Sequence, residues 1–341
     1  MVGAGVGGLC TAIGLHRAGW TVTVLERWPS VVGIGAGLGV WPDAQRALAG
    51  LGLEDRFRAA AVDSGPASLW RHDGRRLAAV PTERVARQSG MPVRIIGWPA
   101  LMDLLVSAVA DTEIRTGTDV RDVPGLVSAA DVVVGADGLR SSVREQEFGA
   151  VDIRYLGCVA WRAQIEGEVP AHGETWGPGA LAGSTPVAPG RTNVYVAVRT
   201  PPGVVEPWAD VREQLSGWHP VITEALSRVD SETVLRHELS DLRPLPSLVS
   251  GRTALLGDAA HAMAPSLGRG ACEAILDAAA LVSALTHERD VPAALRTYDA
   301  TRRRPGQRTA ARSRTMLRIA TAERRTYARD LAVRLAGLAM R

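Results

Sequence analysis

Apolar and polar positions along the chain fall into two rhythms. In "MVGAGVGGLCTAIGLHRAGWTVTVLER" a glycine turn leads into a pattern that predicts a helix from about Gly8 to Ala18, stopped by Gly19, and then a strand from Trp20 to Leu25 ending at Glu26. Leu101, Leu104, Leu105 and Val109 lie on one helical stripe behind Pro99, which predicts a helix from Pro99 to Ala110. "TEIRT" reads as a strand, and the continuous valines of "DVVVGADG" suit a strand buried on both faces. Residues 151–200 change to alternating segments such as "YVAVRT", broken by Pro and Gly, which predict antiparallel sheet. Helical patterns return at 208–228, "TALLG" reads as a strand, and Cys272 to Thr286 and residues 291–304 read as helices before a basic C-terminal helix.

This order predicts an α/β protein: a Rossmann-like domain with an inserted, mostly antiparallel β-sheet domain and C-terminal helices. The expected division is 1–60, 96–150 and 250–290 for the first domain, 61–95 and 151–249 for the inserted one, and 291–341 for the helices. A β-α-β unit needs a strand on each side of its helix. Only Met1 and Val2 precede Gly3, so the central strand is expected to be missing, or to begin upstream.

With 341 residues and 46% hydrophobic positions the chain can bury a proper core. No window approaches the roughly 20 apolar residues of a membrane span, and no basic leader precedes a cleavage site, so a cytoplasmic location is expected. Cys10, Cys158 and Cys272 are widely spaced, which argues against a disulfide framework and a zinc site; no metal is expected. All 39 basic residues are arginine, excluding Schiff-base and lysine-phosphate chemistry. A net charge of +3 does not point to nucleic acid, and the arginines of "RTAARSRTMLRIATAERRTYARDLAVRL" read as a solvated helix face rather than a membrane or nucleic-acid surface.

Gly3, Gly5 and Gly8 form G-x-G-x-x-G before the first helix, and Glu26 ends the next strand. The first glycine allows the tight turn, the second lets a pyrophosphate approach the backbone, and the third lets helix and strand pack closely. Glu26 can accept from both hydroxyls of a ribose without a 2′-phosphate. The ligand of this turn is NAD or FAD on these residues alone.

"VVVGADGLRSSVR" places Asp137 and Gly138 after a buried strand, and "GDAAHAMAPSLGRG" places Asp258 after another. With the glycine turn, these resemble the three signatures of the class A flavoprotein monooxygenases, the para-hydroxybenzoate hydroxylase fold, from residue 3 to about 300. "YLGCVAWRAQI" is similar to the salicylate-hydroxylase and zeaxanthin-epoxidase branch, and "GIGAGLGVWPDAQRALAGLGL" to the segment that carries Arg46 near flavin or nicotinamide.

The resemblance implies FAD held by Gly3, Gly5, Gly8, Glu26, Arg27, Asp137 and Gly138, with Asp258 on the ribityl chain. Pro265, Leu267, Gly268, Arg269 and Gly270 are implied at the pyrimidine edge of the ring. It further implies NAD(P)H and O2 as co-substrates and a flavin C4a-hydroperoxide that hydroxylates an aromatic or polyketide-like small molecule. Trp161, Trp176, Pro186 and Tyr195 are implied to line the substrate pocket under the sheet. No catalytic base is evident, and His261 is assigned to packing and hydrogen bonding.

Four positions depart from the family pattern. Trp98 stands where an arginine is usual, with Arg94 nearby, and Arg269, Cys272 and Leu276 replace glutamine, asparagine and glutamate. A flavin-dependent epoxidase, a dehydrogenase, or a non-catalytic relative with impaired FAD binding are the alternatives.

Overall fold

The computed structural model describes residues 1–31, 33, 35, 37–109, 112–170 and 172–339, the last two as backbone only. A parallel sheet forms the base, in the order Glu113–Arg115, Thr23–Leu25, residues 1–2, Val133–Gly135 and Thr253–Leu255, with Val249–Ser250 antiparallel at the edge. The slot expected to be empty is therefore filled. Val2 donates to Val134 O and accepts from Ala136, while Gly3 donates to Leu25 O and Met1 O accepts from Leu25, all at 2.8 Å. The Met1 amino group also donates to Thr23 O at 2.8 Å, so two residues suffice to satisfy both neighbouring strands at this height.

Helix Val6–Arg17 lies against this sheet and against helix Gly270–His287. A Cβ at Gly7 would stand 2.4 Å from Leu256, and one at Gly14 2.6 Å from Val282, so the two glycines set how closely the helix packs on strand and helix.

A seven-stranded sheet stands over this base in the order Leu235–Leu242, Ile153–Glu166, Arg191–Arg199, Ala180–Ala188, Gly173–Gly177, Ser68–Arg71 and Arg76–Ala79. All pairs are antiparallel except Gly173–Gly177 with Ser68–Arg71. Side chains alternate between its faces. Val159, Trp161, Ala163, Ala180, Ala182, Val194 and Val196 face outward, under helices Trp208–Gln214 and Pro220–Ser227. Cys158, Ala160, Trp176, Leu181, Tyr195, Ala197 and Leu239 face inward, with Ala264, Leu317 and Ala320. A small sheet of Gly37–Val40, Arg94–Gly97 and Val62–Asp63 joins the two parts, and Gly37 N–H donates to Asn193 Oδ1 at 3.0 Å.

The strand expected from Trp20 begins only at Thr23, and three helical stretches also differ from the sequence expectation. The helical stretch at 208–228 is two helices, because Pro220 begins a new one behind the His219 cap. Residues 291–304 do not end a helix: Val291–Ala320 is one continuous helix of 30 residues that runs through Pro305. Proline removes one helical hydrogen bond and crowds the preceding turn. The helix continues because Leu295, Tyr298, Arg302, Gly306, Ala310, Ser313 and Leu317 are buried along its inner side, before and after the proline. The helix expected from Pro99 to Ala110 spans Trp98–Ala108, and its Ala110 end lies outside the described residues. Among the described residues no helix is long and apolar enough to cross a membrane.

Candidate active site

The parallel strands deliver all three motifs to one edge. Leu25, Val2, Gly135 and Leu255 are the carboxyl ends of neighbouring strands, so Glu26, Gly3–Gly5, Asp137–Gly138 and Asp258 follow one another along that edge. Ligands of open α/β sheets bind in the crevice outside these ends. A cleft of about 270 Å³ opens there, lined by Gly3, Ala4, Gly5, Glu26, Arg27, Trp98, Met102, Asp137, Gly138 and Arg140 among others.

The glycines of the first turn have separate reasons. Gly3 has φ +101°, and a Cβ there would meet Ala136 O at 2.4 Å. A Cβ at Gly8 would stand 2.1 Å from Gly3 O. Gly5 is different: its φ is −75° and a Cβ would meet no protein atom within 4 Å. The protein itself does not require glycine at position 5.

Glu26 is buried, and its two oxygens accept from Ala4 N–H at 2.7 Å and Trp28 N–H at 3.0 Å. A carboxylate has about four lone-pair sites, so room remains for two ribose hydroxyls. Asp137 accepts from Ser141 Oγ at 2.5 Å and Val143 N–H at 3.1 Å, which caps helix Ser142–Phe148 and leaves the backbone of Gly138, at φ +80°, facing the cleft. Arg144 turns inward, donating to Ala259 O and Leu139 O, and ties this loop to the one that carries Asp258.

Asp258 is exposed at the strand end, and the protein around it pushes its carboxyl up, against the pull of His261 and Arg162. Beyond it Pro265–Leu267 forms a 3-10 turn, Gly268 takes the left-handed conformation at φ +59°, and Gly270 starts the next helix. Gly270, like Gly5, has open space where a Cβ would be.

Several expected side chains do not reach the crevice. Arg46 is exposed on its helix with Met91 Sδ 3.9 Å away, and does not line the cleft, because its turn of helix presents Gln45 and Leu48 to the core instead. Arg269 is held by protein: its guanidinium pairs with Asp43 at 2.7 Å and Glu273 at 3.0 Å and stacks on Trp41, so only its backbone is free at the turn. Arg94 pairs with Asp63 at 3.1 Å and does not substitute for the absent arginine, while Trp98 itself forms part of the cleft wall. Trp161 lies on the outer face of the large sheet, and Pro186 shares the strand parity of Ala180 and Ala182 on that face, so both are removed from the expected substrate lining. Trp176 and Tyr195 are on the inner face.

A buried ionic network under the turn was not visible in the sequence. His261 Nε2 lies 2.6 Å from Asp277 Oδ2, which also accepts from Gly257 N–H; Arg302 bridges Asp277 at 2.7 Å and Glu273 at 2.5 Å. Burial would lower the His261 pKa, but the Asp277 charge and hydrogen bond outweigh it and raise it. Burial would raise Asp277, yet His261, Arg302 and Gly257 hold it below the usual range. Cys272 is buried too, accepting from Trp41 N–H and donating to Gly39 O, and burial pushes its thiol up to about 12. It is a packing residue that joins the helix to the small sheet. Arg162 lies on the inner face opposite Tyr195.

Comparison with known proteins gives the family. Residues 1–313 match the family model described as FAD binding domain. The chain belongs to that family. It is 33% identical over 322 residues to the aurachin C monooxygenase/isomerase of Stigmatella aurantiaca, covering 89% of this chain and 84% of that protein. Over 328 residues it is 30% identical to the FAD-dependent urate hydroxylase of Klebsiella pneumoniae, covering 89% and 85%. The crystal structure of Klebsiella pneumoniae HpxO complexed with FAD and uric acid superposes with a TM-score of 0.88 at 25% identity, over 98% of this chain and 91% of that one. This FAD-binding family member is thus a flavin-dependent oxidoreductase, with FAD as its cofactor.

Proposed function

We propose that the protein is an FAD-dependent monooxygenase that uses NAD(P)H and O2 to hydroxylate an aromatic or heteroaromatic small molecule in the cytoplasm. The observation that carries this reading is the single carboxyl edge on which Glu26, Gly3–Gly5, Asp137–Gly138 and Asp258 succeed one another, with open space at Gly5 and Gly270. In this reading Glu26 takes the adenosine ribose, the amides at the start of Val6–Arg17 and the backbone of Gly138 take the pyrophosphate, Asp258 takes the ribityl chain, and the Pro265–Gly270 turn takes the ring. The substrate lies between that turn and the inner face of the large sheet, near Trp176 and Tyr195. The domain division expected from sequence, a discontinuous FAD-binding part and a covering sheet, belongs to the same proposal. Relatives whose names are known act on aurachin C, urate, 3-hydroxybenzoate and 6-hydroxynicotinate, all compatible with a flat, oxygen-bearing ring.

When bound, FAD supplies electron transfer from NAD(P)H and the activation of O2. The chain's own residues do the rest. Amides at the N-terminus of Gly270–His287 stabilise negative charge at the turn. The sheet excludes water and holds the ring in a fixed attitude, which raises the effective concentration of the reacting groups. The His261–Asp277–Arg302 network fixes Gly257, and with it the loop that presents Asp258.

The test is to purify the protein, record flavin absorbance, and follow NADH and NADPH oxidation with 3-hydroxybenzoate, 6-hydroxynicotinate and urate under isotopically labelled O2. A product carrying one labelled oxygen atom is expected. Failure to retain or bind FAD, or a product changed only by two hydrogens, overturns the reading.

A further inference from the structure

Helix Thr326–Ala339 is amphipathic with its apolar side turned outward. A surface helix normally buries its apolar stripe and shows charge to water. Here the charges point to the protein: Asp330 is buried and pairs with Arg329 at 2.8 Å, while Arg329 also donates to Ala320 O at 2.8 Å and lies over the Trp176 ring at 5.5 Å. Val333 packs with Trp176 on the inner face of the large sheet, and Gly337 lets the helix approach strand Arg76–Ala79, since a Cβ there would stand 3.0 Å from Ala78 Cβ. The opposite side is uncovered. Tyr327, Leu331 and Leu335 recur every four residues and are 74%, 47% and 59% exposed, with Ala328, Ala332 and Ala336 exposed beside them.

This face continues into a groove of about 950 Å³ against the end of helix Val291–Ala320, where Ile319 is exposed as well. A contiguous apolar surface of this kind marks a place of contact, whereas single exposed leucines do not. Its rim is basic. Arg318, Arg324, Arg325 and Arg334 are all exposed, and none of their side chains has a hydrogen bond or an ion pair among the described residues. Glu323 is the one acidic residue lining the groove. A second copy of the chain is a poor occupant, because two-fold pairing sets the same patch face to face and brings arginine against arginine. An apolar stripe ringed by unpaired cations matches the interface of a bilayer with anionic headgroups, where leucines enter the acyl boundary and guanidiniums meet phosphates.

We infer that this patch seats the protein on an anionic phospholipid membrane, with helix Thr326–Ala339 lying in the headgroup plane. The stripe from Tyr327 to Leu335 is about 12 Å long, so it rests on the surface and does not cross it. Tyr327, at the end nearest Arg324 and Arg325, presents an apolar ring with a polar tip, a form suited to the boundary between headgroups and acyl chains. The basic C-terminal segment, expected from its sequence to be a solvated face, is thus divided by the fold: Arg329 turns inward, and Arg318, Arg324, Arg325 and Arg334 flank an apolar surface. The inference stands on this surface alone and does not depend on the reaction proposed above.

The experiment uses the full, FAD-loaded chain and co-sedimentation with two kinds of vesicle, phosphatidylcholine alone and equal parts phosphatidylcholine and phosphatidylglycerol. The wild type is expected to pellet with the mixed vesicles at least about tenfold more strongly than with phosphatidylcholine, and to be released as salt is raised. Leu331→Ser combined with Leu335→Ser should weaken binding to the mixed vesicles at least about tenfold. Arg324→Gln combined with Arg325→Gln should weaken it by about fivefold for each charge removed. All four side chains are exposed, so flavin absorbance and melting temperature should be unchanged in both variants. A wild type that does not pellet with the mixed vesicles, equal binding to both vesicle types, or undiminished binding by either variant overturns the inference. So does a wild-type dimer that the serine variant converts to monomer in sedimentation velocity, which assigns the patch to a second copy. A protein that binds the mixed vesicles as described but inserts no oxygen supports the membrane surface and counts only against the monooxygenase reading.

Discussion

Gly5 and Gly3 belong to the same turn and answer to different masters. Gly5→Ala is expected to leave the melting temperature of the FAD-free protein unchanged, because a Cβ there touches no protein atom, while FAD affinity falls about tenfold through the lost close approach. Gly3→Ala should instead destabilise the fold by about 1–3 kcal/mol, since it combines a φ of +101° with Ala136 O at 2.4 Å. Thermal melts of both variants, with and without FAD, separate the two cases. These glycines were legible in the sequence because a turn's backbone demands are local. The His261–Asp277 pair was not, since its partners are 16 residues apart and meet only after the helix packs back on its loop. His261 has a raised pKa in the fold, so its contribution is fully present below the unfolded value of 6.5 and is lost as pH rises through the raised value. Asp277 works in the opposite sense, contributing above its unfolded value of 3.8 and losing that contribution as pH falls toward its lowered one. His261→Asn should therefore cost more stability at pH 6 than at pH 9. Denaturant midpoints at the two pH values check it, and an equal cost at both would remove the charged pair from the account. Breaking a buried pair of this kind costs about 3–5 kcal/mol when one partner is left charged.

At the scale of elements, helix Val291–Ala320 packs closely on the loop that carries His261. A Cβ on Gly306 would stand 2.6 Å from His261 Cδ2, so Gly306→Ala should destabilise by about 1–3 kcal/mol, by pushing the imidazole off Asp277. Pro305, beside it, is exposed, and Pro305→Ala should stabilise by about 1 kcal/mol or more by restoring a helical N–H, net of the entropy that proline removes from the unfolded chain. Urea titrations of the two variants are expected to move in opposite directions. The sequence reading ended a helix at 304 because proline is a local stop signal, whereas the buried stripe from Leu295 to Leu317 is a tertiary one and prevails. The same limit governs the large sheet. Alternation was readable in "YVAVRT", but which parity faces the FAD-binding part depends on what packs above and below. Trp161 and Pro186 were thereby assigned to the wrong face.

At the scale of the whole molecule, the architecture was legible because each motif lies at a strand end and parallel strands share a direction. What could not be read was the two-residue central strand, since periodicity needs more than two positions to register. The carboxyl edge of the parallel sheet joins residue 3 to residues 26, 137 and 258, so no fragment shorter than about three quarters of the chain contains it. Strand Thr253–Leu255 must dock on Val133–Gly135 before Asp258 comes into line with Gly3 and Glu26. Long loops of this kind close late. After dilution from denaturant, recovery of helical circular dichroism should precede quenching of FAD fluorescence, and simultaneous recovery would argue against late docking. The vitamin-derived cofactor would then act as a quality check on the newly made chain: capture rewards only molecules whose distant segments have met, and loading at 100 times the dissociation constant deepens the native well by about 2.7 kcal/mol.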